Sequence, residues 1–228
     1  MFMKTRSAKG VLAASLLLLT SMAFAADPQV EALLGHMREA YKAVKAATYK
    51  TSTTEWETGQ DVDEPVTIQL DFAYKSPNLI RIGLTGGPIP GVVTVLSDGD
   101  NVTASSAQGT RPVGPYSVKL MEGIAPMNLE SISFWDWKRQ LSTAKGDNMA
   151  TSTFKIVKDE EWDGKHWTVL EETAAKDKVF CRYFIDPNTY LIWRTKVSNL
   201  DTKKTRMDAK ITSMDTKANL NDAMFKGA

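Results

Sequence analysis

The chain has 228 residues, with 28 Lys and Arg against 27 Asp and Glu, a net charge of +1. That balance leaves no electrostatic footprint for nucleic acid and no polybasic patch for an anionic membrane. A single cysteine, Cys181, excludes an intrachain disulfide.

The N-terminus comes first in chain order. Lys4, Arg6 and Lys9 precede an apolar run over residues 11–19, which leads to Ala23-Phe24-Ala25. A basic segment, a short apolar core and a small-x-small site form the pattern of a cleaved secretory signal peptide. The run is short of the ~20 apolar residues that span a bilayer. The expectation is a signal peptide over 1–25, with a mature chain starting at Ala26 in the periplasm. No cysteine lies near the cut to carry a lipid anchor. The peptide holds three basic residues and no acidic ones, so the remainder has 25 basic against 27 acidic, a charge of −2. Residues 26–228 are enough for one domain with a sizeable core.

Residues 28–47 read as an amphipathic helix. Val30, Leu33, Leu34, Met37, Tyr41, Val44 and Ala47 recur at steps of three and four, with Glu31, Arg38, Lys42 and Lys45 opposite. Asp27 is placed to cap it, with Pro28 at the first helical position. The period then becomes two. Val66, Ile68, Leu70, Phe72 and Tyr74 alternate with Thr67, Gln69, Asp71, Ala73 and Lys75, as in a strand with one wet face. Ser76-Pro77-Asn78 turns the chain into a strand over 79–84. Strands over 91–96 and 102–105 flank Asp98-Gly99, a favoured hairpin dipeptide. In the C-terminal half, 154–162 and 167–173 are joined by Asp163-Gly164. Strands 178–185 and 191–200 are joined by Asp186-Pro187-Asn188-Thr189, and 206–214 makes a last strand before a polar tail.

Between 112 and 145 the alternation fails. From Asn128 onward Leu129, Ile132, Phe134, Trp135, Trp137 and Leu141 describe a helix that is apolar around most of its circumference. Such a helix lies in a core or covers something apolar. With no internal repeat or linker, these elements give an α+β domain, a meandering antiparallel sheet carrying helices on one face.

Chemistry-bearing motifs are scarce. His36 and His166 have no partner at metal-ligand spacing, and no nucleophile elbow, phosphate loop or dinucleotide fingerprint occurs. Both histidines read as surface residues. The cluster Asp159, Glu160, Glu161, Asp163 lacks the spacing of a calcium loop and reads as a solvated hairpin tip. Cys181, inside the apolar run 179–185, reads as a buried structural thiol. What stands out is an aromatic surplus: Trp135, Trp137, Trp162, Trp167 and Trp193, with Phe134, Phe180 and Phe184. These either fill a closed core or line a concave apolar cavity for acyl chains.

The order of helix, strand, "FAYKSPNLIRIGL", "VVTVLSDGDNV", helical middle, "WDGKHWTVLEE", "FIDPNTYLIWRTKV" and closing "NLNDAMF" resembles the periplasmic outer-membrane lipoprotein carriers and their LolA-like relatives. The resemblance covers nearly the whole mature chain and extends to the terminal Phe225. It implies a single antiparallel sheet curved into an unclosed β-barrel, with helices covering an apolar concave face. It also implies binding of acyl chains, lipids or lipoproteins, by a carrier or a sensor that is not an enzyme and needs no cofactor. The dedicated carrier has an arginine directly before Pro-Asn-Leu that latches its lid. Ser76 stands there in this chain, after Lys75, and Arg81 is at a different position, so that role does not carry over. The chain therefore resembles the predicted periplasmic members of the superfamily more than the carrier.

The expected ligand-lining residues are Ile68, Leu70, Phe72, Tyr74, Leu129, Ile132, Phe134, Trp135, Trp137 and Trp193. No catalytic residue, metal or nucleic-acid partner is expected, and the protein is expected to be monomeric, with a membrane protein as a further partner. Two other readings remain open at this point: a periplasmic protein-interaction module without lipid, and a hydrolase with an unrecognised site.

Overall fold

The structure, a computed structural model, describes residues 27–56, 65–87, 89–117, 120–121, 137–138, 141, 152–174 and 178–226. The expected signal peptide over 1–25 lies outside them, as does most of the expected middle helix.

Helix α1 (Pro28–Ala43) starts as its sequence requires, with the Asp27 carboxylate accepting from the Gln29 N–H at 2.9 Å and Pro28 in the first turn. Its buried face is Val30, Leu33, Leu34, Met37 and Tyr41. The expected end at 47 is corrected to Ala43. Val44 is already extended, with φ −73° and ψ 115°. Ala46–Glu55 is strand β1, paired on both sides. Val44 and Ala47 keep the helical rhythm of apolar residues, but two ladders of backbone hydrogen bonds outweigh a one-turn continuation of the helix.

The remaining strands are β2 (Val66–Lys75), β3 (Leu79–Gly86), β4 (Ile89–Asp98), β5 (Asn101–Ser106), β6 (Gly109–Pro115), β7 (Thr153–Trp162), β8 (Lys165–Ala174), β9 (Val179–Ile185), β10 (Ile192–Asn199) and β11 (Thr205–Asp215). They form one 11-stranded antiparallel sheet in the order β6-β5-β4-β3-β2-β1-β11-β10-β9-β8-β7. Two meanders thus meet where β1 pairs β11. The hairpins sit where turn chemistry places them. At the β7–β8 turn Asp163 (φ 55°) and Gly164 (φ 68°) both take the left-handed conformation that a tight hairpin requires. β1 and β6 have no counterpart in the sequence reading.

Each strand-to-strand step twists by roughly 20°. The ends of the order, β6 and β7, do not pair with each other, so the sheet is not closed into a barrel. β6 and β7 are its two edges. Edge β6 carries Pro112 and Pro115, and edge β7 carries Lys155, Lys158, Asp159, Glu160 and Glu161. Both are poor templates for an added strand. Because β6 and β7 lie at opposite ends of the strand order, residues 116–152 are a crossing connection, of which the structure describes 116–117, 120–121, 137–138, 141 and 152.

The inner face, which α1 covers, carries the main core: Ile68, Leu70, Phe72 and Tyr74 of β2, with Ile80, Ile82, Leu84, Val95, Leu170, Cys181, Tyr183, Ile185, Val197, Met207, Ala209 and Ile211. Gln69 and Asp71 are exposed on the other side, Gln69 donating to the Ser52 hydroxyl at 3.0 Å and Asp71 paired to Lys50 at 3.2 Å.

The outer face is not uniformly wet. Trp167, Val169 and Phe184 form a second buried cluster there, flanked by Val157, Trp162 and Trp193. Arg194 lies over the rings of Trp162 (5.0 Å) and Phe184 (5.1 Å) while making a two-pronged pair with Asp208 at 2.8 and 2.7 Å. The expected polar tail ends in a 3₁₀ turn, Asp222–Phe225, that packs on β3 and β4. Lys75 anchors it through Asp222 and the Leu220 carbonyl, and Phe225 is fully buried.

Candidate ligand-binding face

Four expected lining residues lie together. Ile68, Leu70, Phe72 and Tyr74 project from alternate positions of β2 onto the inner face and are 2–5% exposed. The register seats Phe72 between Tyr49 and Ile82, with the Tyr49 and Phe72 rings stacked at 4.6 Å. Leu70 sits between Thr51 and Leu84, and Tyr74 between Ala47 and Ile80.

The inner face is closed by α1 and by residues from the crossing segment. Met121, Trp137 and Leu141, each 3% exposed, belong to the same core as the β2 row. Trp137 meets the Tyr183 ring edge-on at 4.9 Å. Its neighbour Lys138 donates to the carbonyls of Tyr41, in the last turn of α1, and of Val44, its C-cap (2.8 Å for the latter), where a cation complements the helix dipole. The same ammonium lies 5.5 Å from the centre of the Tyr74 ring. Burial, and Lys45 nearby, hold its pKa below the ordinary lysine value. Lys138 therefore ties the crossing segment to both α1 and β2. Leu129, Ile132, Phe134 and Trp135 lie outside the described residues. Trp193 stands at a boundary: it touches the main core, yet its ring faces Trp167 of the outer cluster at 6.3 Å.

Sequence reasoning missed a polar row running through this apolar face. Thr51, Thr53 and Thr195 are 1%, 0% and 1% exposed, and their hydroxyls have no hydrogen-bond partner. Beside Thr195 in register is Tyr183, whose hydroxyl donates to Glu172 at 2.6 Å, and Ser152 donates to the same carboxylate at 2.6 Å. Burial first, then Cys181 and Glu172, push the Tyr183 phenol well above its ordinary range, so it stays a neutral donor. The signal was unreadable in sequence because β1 carries Thr and Ser on both parities, leaving no alternation to assign a face.

Among the described residues no three His, Cys, Asp or Glu side chains gather as a metal site. His36 is exposed and stacks on Tyr190 at 4.7 Å, and His166 is exposed opposite Glu161. Glu160, of the acidic hairpin cluster, is taken by Arg182 at 2.8 Å. Cys181 is buried, as its sequence context requires.

No protein-family model matches the chain, and no curated protein matches it by sequence. Solved structures do. The lipoprotein LppX of Mycobacterium tuberculosis superposes with a TM-score of 0.50 at 14% identity, over 84% of this chain and 99% of that one. The chain has the LolA-like fold. MucB in the Pseudomonas aeruginosa MucA/MucB complex gives a TM-score of 0.49 at 14% identity, over 88% of this chain and 61% of that one. This chain thus spans less than two thirds of MucB. A LolA superfamily protein from Nitrosomonas europaea gives 0.41 at 10% identity, over 86% and 97%. In the LolA-like fold seen here, the open sheet and its apolar inner face are built by the two meanders, and the crossing segment supplies part of the cover.

Proposed function

We propose that this protein is a non-catalytic, extracytoplasmic carrier or sensor that binds a hydrophobic ligand, an acyl chain, lipid or lipoprotein, against the inner face of its open sheet. It acts as a monomer, with residues 26–228 forming one LolA-like half-barrel domain. The observation that carries this reading is the mismatch between the apolar face and its fixed cover. α1 has 16 residues, about 24 Å of helix, against a sheet of 11 strands. Among the described residues the rest of the cover is Met121, Trp137 and Leu141, next to Lys138 with its hydrogen bonds to the Tyr41 and Val44 carbonyls. Such a cover can be displaced without breaking the sheet. The sequence resemblance to lipoprotein carriers and the signal-peptide pattern support the same reading. The proline-containing and charged edges make strand addition by a protein partner the weaker alternative.

The test is native mass spectrometry of protein purified from its own periplasm, followed by lipid extraction and N-terminal sequencing. The expected result is a mature chain beginning at Ala26 with co-purifying acyl species. A full-length membrane-retained product removes the periplasmic assignment. Protein that is empty and takes up no lipid in vitro removes the ligand assignment.

A further inference from the structure

The outer face of the C-terminal meander carries a pocket that the lipid reading does not use. Phe180 and Arg182 alternate along β9 with Cys181 and Tyr183 of the main core, so their side chains leave the sheet on the opposite side. There, with Lys155, Glu171 and Lys203, they line an open cavity of about 340 Å³. That is at the small end of the ~300–1,000 Å³ typical of ligand pockets, and it suits a compact group.

The lining has more positive charge than its carboxylates take up. Glu171 accepts from Lys155 Nζ at 2.7 Å and from Arg182 Nε at 3.0 Å, and Glu160 accepts from Arg182 Nη1 at 2.8 Å. Lys203 stands 4.8 Å from the centre of the Phe180 ring, with no carboxylate in salt-bridge reach among the described residues. Two carboxylates thus serve three cations. The backbone holds Lys203 in place. It takes the left-handed conformation (φ 58°), uncommon for a lysine, and the Lys203 N–H donates to the Asn199 carbonyl at 3.0 Å. Strain of this kind collects at functional sites, and here it accompanies a cation turned over an aromatic ring.

We propose that this outer-face pocket binds a phosphate group, free or carried on a headgroup, between Lys203, Arg182 and Lys155. The site is separate from the inner face and does not depend on what that face holds. A phosphate presents oxygens in several directions, which matches donors arriving from β7, β9 and the β10–β11 turn. A carboxylate is the poorer fit. It favours a free two-pronged guanidinium edge, and Arg182 already has a glutamate on Nε and another on Nη1. What Arg182 keeps is Nη2, and the Lys155 ammonium keeps further N–H donors beyond the one given to Glu171. Phe180, which carries Lys203 over its ring, is two residues from Arg182, about 7 Å at ~3.3 Å per residue. Contacts of ~2.8 Å on either side of an anion, with the anion's own width between them, bridge such a gap. The Thr173 hydroxyl, opposite Phe180 in register, is a further donor, and Leu200 supplies an apolar wall.

Isothermal titration calorimetry on the mature chain at low ionic strength compares inorganic phosphate, glycerophosphoglycerol and acetate. Both phosphates should bind, and acetate should bind roughly 10-fold more weakly or worse, the worth of one charge-assisted hydrogen bond. Tighter binding of glycerophosphoglycerol identifies a headgroup as the source; inorganic phosphate binding at least as tightly identifies the free ion. Lys203→Gly accepts the left-handed backbone and removes the ammonium, so it should melt with the wild type and lose roughly 10-fold in phosphate affinity. Lys203→Gln, which keeps the side-chain stem, should show the same loss, and Lys203→Arg should keep the binding. Lys204→Ala removes an exposed charge from the same turn and should change nothing. Acetate matching phosphate, or Lys204→Ala costing as much as Lys203→Gly, would show a diffuse attraction for anions and overturn the proposal. Binding of neither phosphate overturns it, as does a Lys203→Gly variant that binds like the wild type. The inner-face reading stands or falls separately, on the lipid extraction above.

Discussion

Leu70→Ala asks whether the inner face is filled in the ligand-free protein. Leu70 is 2% exposed, seated between Thr51 and Leu84, and belongs to the main core. The substitution removes three carbons, which at ~0.8 kcal/mol per methylene is about 2.4 kcal/mol of transfer free energy. The cavity left behind brings the loss into the range of about 2–5 kcal/mol. Urea unfolding of delipidated protein should show the midpoint falling with an unchanged slope, since the surface exposed on unfolding is almost the same. Asp71→Ala is the internal control. Its carboxylate is 67% exposed in a pair with Lys50, and an exposed pair is worth at most ~1 kcal/mol. A loss below about 1 kcal/mol for Leu70→Ala would refute the reasoning, because it would mean the side chain borders open space and no packed volume is vacated. A larger loss for Asp71→Ala than for Leu70→Ala would refute the assignment of faces itself.

Three other perturbations follow from particular contacts. Lys138→Met removes the hydrogen bonds to the Tyr41 and Val44 carbonyls, and should cost about 1.5–3 kcal/mol in thermal or urea unfolding; no loss would mean that Lys138 does not hold the crossing segment. Asp208→Ala leaves Arg194, whose side chain is 11% exposed, without its carboxylate, and should cost about 3–5 kcal/mol, with an unchanged melting temperature counting against a working pair. Burial pushes the Glu171 carboxyl up, but hydrogen bonds and charge from Lys155 and Arg182 outweigh it and hold the pKa below the ordinary 4.5. Its contribution is therefore present above pH 4.5 and is lost as pH falls through the lower folded value. Glu171→Gln should destabilise the protein at neutral pH and close the gap to the wild type in acid; a gap that stays constant from neutral pH into acid would show that the pair contributes nothing through ionisation.

What the sequence determined by itself was the part of the fold that is encoded locally. The alternation from Val66 to Tyr74 has one buried solution, since a one-residue slip would bury Gln69 and Asp71. The dipeptides Asp98-Gly99 and Asp163-Gly164 supply the backbone freedom their hairpins need. Asp27 and Pro28 start α1 for reasons contained in the first turn. Tertiary structure decided the rest. The end of α1 depends on β2 and β11, distant strands that capture Ala46–Glu55. β1 itself is polar on both parities, and Thr51 and Thr53 are buried only because the sheet continues on either side of them. The aromatics of the C-terminal half could not be assigned to a face from spacing. Register shifts at Val157/Glu160 and Ile192/Arg194 change the parity within β7 and β10, sending Trp162 to the outer cluster and leaving Trp193 between the two. A bulge inserts one residue into a period of two, so beyond it the sequence pattern names the opposite face. The polar row on the inner face is likewise a property of three strands in register, Thr53, Ala209 and Thr195 being far apart along the chain and neighbours only in the assembled sheet.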